Sequence, residues 1–235
     1  MKGRGLVLGL LGGVALLAGS VLGLPSQAGA GTCVSGATIA SYIAAGSCTV
    51  DDKTFSKFLY VGSTLPGTPT ATDVEVFVDN TPLNPGLIFS AAWQATPGEA
   101  PDFRIAFTVS VNPGGGAIED ATLAGFASVS GDGSSHVTET LCEGAVLPTC
   151  SGGTIQNLLV TNPPPFFVDK LTFPKPVLTV DVLKDIGLNG GVDGSSAISE
   201  VFQNFSEVPE PGTLTLLGTG LVLAGGAVRR RFRRG

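Results

Sequence analysis

The sequence predicts an all-β protein: an antiparallel β-sandwich, jelly-roll-like or immunoglobulin-like, flanked by an N-terminal signal peptide and a single C-terminal transmembrane helix. Three observations carry this expectation. Between residues 31 and 207, short runs rich in β-branched and aromatic residues recur between clusters of Gly, Pro, Asn and Asp. Several of these runs alternate apolar and polar residues with period two, as a half-buried strand does. The two ends of the chain show no such alternation and instead carry apolar stretches beside positive charge.

At the head, Lys2 and Arg4 precede LVLGLLGGVALLAGSVLGL and then PSQAGA. Positive charge, an apolar run and the small-residue site Ala28-Gly29-Ala30 predict an export signal over residues 1–30, cleaved after Ala30. Export through the Sec translocon follows from that reading. Next, GATIASYIAAG (36–46) is the one stretch in the central region that reads as a short helix.

The strand candidates then come in order: KFLYVG (57–62), DVEVFVD (73–79), GLIFSAAW (86–93), FRIAFTVSV (103–111) and ATLAGFASVS (121–130). They continue with SHVTETLC (135–142), TIQNLLV (154–160), FFVDKLTF (166–173), VLTVDVL (177–183) and SAISEVFQNFSE (196–207). Val74, Val76 and Val78 define one face of their run, with Asp73, Glu75, Phe77 and Asp79 on the other; Ile105, Phe107, Val109 and Val111 repeat the pattern. Turn signals such as NPGGG (112–116) and SGDGSS (130–135) separate the runs, and about ten strands so punctuated make a sandwich. Residues 31–207 are long enough for one domain with a real core.

Four cysteines in an exported chain favour disulfides, and of the three connectivities the sequence prefers Cys33–Cys48 with Cys142–Cys150, because each closes a local loop. A zinc site is disfavoured: there is no Cys-x-x-Cys spacing and His136 is the sole histidine. No G-x-S-x-G, H-E-x-x-H or phosphate-loop pattern occurs in the central region, so no catalytic residue is assigned and no cofactor is expected. Carboxylate pairs such as Asp51/Asp52 and Glu119/Asp120 read as solvated surface, and Trp93, the single tryptophan, as core. His136 reads as an exposed strand residue.

One stretch has a partial metal-loop pattern. NGGVDGSSAISE (189–200) places Asn189, Asp193, Gly194 and Glu200 in register with a calcium loop, but it lacks acidic ligands at the first and third positions. A Gly-rich hairpin explains the same residues, so Asn189, Asp193 and Glu200 are only a weak calcium candidate.

The last 28 residues are of a different kind. Val208-Pro209-Glu210-Pro211 is followed by an uncharged run from Thr213 to Val228, then Arg229, Arg230, Arg231, Arg233 and Arg234. As a helix the run would span about 24 Å, short of the ~30 Å hydrocarbon core, while the arginines would stop transfer and stay cytoplasmic. This three-part order resembles the PEP-CTERM sorting signal. The resemblance covers residues 208–235 alone, with the membrane segment at 213–228 and an Arg-rich tail at 229–235. It implies an exported protein of a Gram-negative bacterium, often one that makes exopolysaccharide. It further implies transient anchoring in the inner membrane with the domain periplasmic, recognition of the Pro-Glu-Pro region by exosortase, and release to the cell surface or medium.

Removing both ends leaves six positive residues against 19 acidic ones if Glu210 is kept, a formal charge of −13, or one unit less if Glu210 is lost with the tail. Such a surface repels nucleic acid and anionic membrane. With no catalytic constellation, the resemblance to the sorting signal implies a non-enzymatic surface or extracellular-matrix protein, with exopolysaccharide as a partner. The alternative is a secreted carbohydrate-binding module or glycan hydrolase.

Overall fold

The computed structural model describes residues 30–144, 150, 152–208 and 219. The elements are β1 (Gly31–Thr32), β2 (Ala37–Thr38), α1 (Ile39–Ala45), β3 (Ser47–Val50), β4 (Lys53–Val61), β5 (Glu75–Asp79) and β6 (Gly86–Ala95). They continue with β7 (Asp102–Val111), β8 (Ile118–Ser130), β9 (Ser134–Glu143), β10 (Thr154–Asn162), β11 (Val168–Val177), β12 (Thr179–Asn189) and β13 (Ser195–Glu207). Every run the sequence marks as a strand is strand over most of its length, and α1 lies where GATIASYIAAG predicts a short helix. Thr38 caps that helix, its hydroxyl accepting from the Ser41 amide at 3.3 Å, and Gly46 ends it with φ 78°.

Two sheets form a sandwich. One has the order β1-β3-β4-β7-β12-β9-β10 and the other β11-β8-β13-β6-β5-β2. All pairings are antiparallel except β1 with β3. From β6 onward successive strands alternate between sheets, apart from the β9–β10 hairpin, so that β6-β13-β8-β11 faces β7-β12-β9-β10.

The period-two faces meet in the core. Phe103, Ile105, Phe107 and Val109 of β7 are buried, as are Val180, Val182 and Ile186 of β12. Across the interface Phe107 meets Phe89 and Phe205, with ring centroids 5.8 and 6.5 Å apart. Trp93 is fully buried against Phe103, as its reading as core requires. Both disulfides join the pairs the sequence prefers, Cys33–Cys48 and Cys142–Cys150.

The boundaries differ in instructive places. β4 begins at Lys53 rather than Lys57, because a bulge at Lys57 (φ 56°) shifts the inward face from Lys53 and Phe55 to Phe58. β11 runs through Pro174 and Pro176, which a strand can do only at a sheet edge, and its register with β8 breaks between Thr172 and Val177. β1, β2 and β3 are two to four residues long and too short to leave a periodic signal.

Candidate functional site

The C-terminal residues of β13 carry the domain into the sorting segment, and the fold holds them tightly. Glu207 is the last residue of β13 and is buried. Its Oε2 accepts from the Lys53 ammonium at 3.0 Å; the same ammonium donates to Asp52 Oδ1 and, at 3.1 Å, to the Gly116 carbonyl. Lys53 is fully buried, since it begins β4 with its side chain turned inward under the β7–β8 connection. One residue further on, the Val208 amide donates to the Ala117 carbonyl at 3.0 Å.

That connection is the NPGGG turn, and its glycines are needed for close approach. A Cβ on Gly115 would lie 2.1 Å from Asp52 Oδ2, and one on Gly116 2.5 Å from Glu207 Oε2 and 2.8 Å from the Val208 carbonyl. Burial pushes the Glu207 carboxyl above its ordinary range; Lys53 pulls it down and the hydrogen bond with Asp52 pushes it up again. Asp51, Asp52 and Glu207 bring one carboxylate oxygen each within 4.8 Å of one another. Two of them, Asp52 and Glu207, hold the Lys53 ammonium, so the pair works as an anchor for the strand end.

A second charged group lies on the outer face of the β7–β12–β9 sheet. Arg104 contacts Asp102 at 3.7 Å and Asp185 at 3.5 Å. Burial and the neighbouring Asp185 push the Asp102 carboxyl up to about 6. Gly187 pairs with both Asp102 and His136, and the imidazole lies over it, 2.3 Å from where a Cβ would stand. His136 is exposed, as expected. A groove of about 520 Å³ beside this group is lined by residues 61–65 and by Gly98, Glu99, Ala100, Asp102 and Arg104. Asp102 and Asp185 are far apart in sequence and are joined only by strand register, which no local motif announces.

The calcium candidate is not assembled. Asn189 ends β12, where its Oδ1 accepts from the Gly191 amide at 2.8 Å. Asp193 lies in the following turn, while Glu200 sits well along β13, paired with Ser90 and Phe126. At ~3.3 Å per strand residue, Glu200 is roughly 16 Å or more beyond that turn. The turn is a hairpin held from outside, with Asp132 accepting from the Val192 and Asp193 amides at 2.8 and 3.1 Å. Gly190 is required there because a Cβ would lie 1.8 Å from the Thr96 carbonyl.

Ala30 and Val208 are described, whereas Ala28, Pro209, Glu210, Pro211 and Arg229 to Arg234 lie outside the described residues, as do the signal segment before Ala30 and, apart from Thr219, the segment 213–228. Among the described residues no helix is long and apolar enough to cross a membrane.

Comparison with known families settles the nature of the C-terminal segment: residues 207–234 match the PEP-CTERM protein-sorting motif. The chain therefore carries this sorting motif, which begins at the last residue of β13 and implies an exported protein processed by exosortase. Comparison with curated proteins returns no match. Among solved structures, the chain is similar to TmCBM61, determined in complex with beta-1,4-galactotriose, at 12% identity and a TM-score of 0.32, over 65% of this chain and 90% of that one. It is also similar to the enzymatically active domain of tailspike protein 4 of bacteriophage CBA120, at 11% identity and a TM-score of 0.24, over 67% of this chain and 20% of that one. Likenesses this distant carry no functional argument.

Proposed function

We propose that the chain is an exported, non-enzymatic surface or extracellular-matrix protein of an exopolysaccharide-producing Gram-negative bacterium. On this reading a signal peptide is removed after Ala30, and residues 213–228 anchor the protein transiently with its domain in the periplasm. Exosortase then cuts in the Pro209–Pro211 region and releases a jelly-roll-like sandwich, the arrangement favoured by the sheet orders β6-β13-β8-β11 and β7-β12-β9-β10. The observation that carries the proposal is the abrupt join. The sorting motif starts at Glu207, the residue that Lys53 holds in the fold, so processing would remove the tail without touching a strand.

Intact mass with both termini, measured on protein from membrane and extracellular fractions, tests this. An extracellular species running from Gly31 to the Pro209–Pro211 region is the expected result. A protein found only in membranes and still ending at Gly235 would overturn it.

A second reading, a secreted glycan-binding module or hydrolase, has one observation in its favour: the Asp102–Asp185 carboxyl pair beside the groove of about 520 Å³. Glycoside hydrolysis needs a carboxyl group that keeps its proton toward neutral pH, and Asp102 is pushed up to about 6. Turnover of a glycan panel that vanishes in Asp102→Asn would establish it; tight binding to the producer's own polymer without turnover supports the non-enzymatic reading.

A further inference from the structure

The centre of the sandwich holds a group that the sorting motif does not explain. Lys184 of β12 and Glu139 of β9 are directly opposite in register, point inward and are fully buried. From the other sheet Gln203 of β13, also fully buried, meets them: the Lys184 Nζ contacts both Glu139 Oε2 and Gln203 Oε1. The surroundings are apolar. Ile105 flanks Lys184, while Leu87 and Leu123 flank Gln203, all three without solvent exposure. Glu139 Oε1 has no hydrogen-bond partner among the described residues.

As an ion pair this arrangement is poor. Two charges removed from water need several good hydrogen bonds to offset their desolvation, and here one carboxylate oxygen is left over. Burial drives Glu139 up and Lys184 down, toward an uncharged amine beside an uncharged carboxylic acid. An amine that burial drives toward its neutral form, held against a carboxamide with a carboxyl group in contact and water excluded, is a reactive set: nucleophile, electrophile and proton carrier.

We propose that Lys184 and Gln203 become joined by an intramolecular amide bond that staples the two sheets together, with Glu139 as the proton carrier. The Lys184 Nζ lone pair attacks Cδ of Gln203, forming the N–C bond, and electron density moves to Oε1. Glu139 gives its proton to Nε2 and takes one from Nζ. The Cδ–Nε2 bond breaks and ammonia leaves. One amine hydrogen and the carboxamide NH2 depart as NH3, a secondary amide remains and Glu139 ends as it began, so no oxidant or co-substrate is required. The bond would connect neighbouring strands in sequence, 19 residues apart, that belong to opposite sheets.

A tryptic map of the wild-type protein recovered after export decides this. The expected mass is about 17 Da below that of the disulfide-bonded chain, the loss of one ammonia. Trypsin would fail to cut after Lys184, leaving one peptide that starts at Leu171 and runs past Gln203, with no backbone fragments released between the two joined residues. In Glu139→Gln the ammonia is retained and trypsin cuts after Lys184. Cleavage after Lys184 in the wild type, with Gln203 recovered unmodified, would overturn the proposal. So would an ammonia loss confined to Asn189-Gly190, where a succinimide forms with the same mass change. The wild-type map stands alone even if the variant does not fold.

Discussion

Two lysines are fully buried among the described residues, Lys53 at the rim and Lys184 at the centre, and their partners differ in kind. Lys53 has three acceptors for its three ammonium hydrogens: Asp52, Glu207 and the Gly116 carbonyl. Asp52 keeps a fifth of its side chain in contact with solvent. Lys184 has two partners, one carboxylate and one carboxamide, and no access to water. A buried cation that is fully hydrogen-bonded is a fixed charge and serves as an anchor. One that is under-supplied is pushed toward its neutral form and acquires chemistry. The same residue type thus ties down the end of the domain in one place and, on the proposal above, links its two sheets in the other.

The centre is where a single change costs most. Lys184→Met removes the proposed amide link and leaves Glu139 and Gln203 buried without their shared partner, and breaking a buried group of this kind typically costs ~3–5 kcal/mol. The double variant Lys184→Met/Glu139→Leu removes both titratable groups, and if they act only as a buried polar pair it should regain that loss. Urea unfolding of the three proteins separates the contributions. Any deficit that the double variant fails to recover measures the covalent staple, expected at ~3 kcal/mol by analogy with a cross-link closing a loop of this length. Full recovery would argue for an ordinary ion pair.

At the rim the loss should be smaller and should depend on pH. Lys53→Met sets Asp52 and Glu207 against each other, but solvent reaches Asp52, so a cost of ~2–3 kcal/mol is expected at neutral pH. Glu207 already binds its proton more tightly in the folded state than its ordinary value of 4.5. A carboxyl of that kind contributes stability in acid and loses it as pH rises through its folded value. Without Lys53 the shift grows, so Tm of the variant should approach wild type near pH 4 and fall furthest behind at pH 7. A pH-independent difference would show that the lysine acts by packing alone.

Smaller again is Gly116→Ala, in which the new methyl group meets Glu207 and the Val208 carbonyl. Overpacking of this size costs ~1–3 kcal/mol. The effect should be local, with faster hydrogen exchange at the Val208 amide, which bonds Ala117. If the proposed processing depends on a firmly held strand end, this variant should also change the rate at which the tail is lost.

Much of this was legible beforehand, and the exceptions share a cause. Strands such as Ile105-Phe107-Val109 announce themselves because one buried face imposes period two. The sorting segment is readable because charge and apolar length are local properties. Lys53 and Lys184 were not, because a lysine reads as surface, and only strand register shows that Lys184 faces Glu139 and that Glu207 returns to Lys53. The same non-locality hid Asp102 and Asp185. At 189–200 the Gly-rich hairpin that the sequence favours over a calcium loop is what forms, and Glu200 is carried away from Asn189 and Asp193 along β13.

The smallest effect belongs to the exposed counterpart of these clusters. Asp102 is pushed up to about 6, chiefly by burial and by Asp185, yet about half of its side chain is open to solvent. Its folded value lies above the ordinary 3.8, so its contribution to stability is complete in acid and is lost as pH rises through about 6. Solvent screening should hold that contribution below about 1 kcal/mol. Asp102→Asn removes the titration, so the variant should gain on wild type in Tm between pH 4 and 7, by an amount well short of the Lys53→Met effect. A carboxyl-carbon NMR titration gives the direct reading. A midpoint near 6 confirms that Asp185 and partial burial act together on an open face. A midpoint near 4 would mean that water already screens the pair, and would confine strong carboxyl coupling in this fold to the places where a lysine is buried with it.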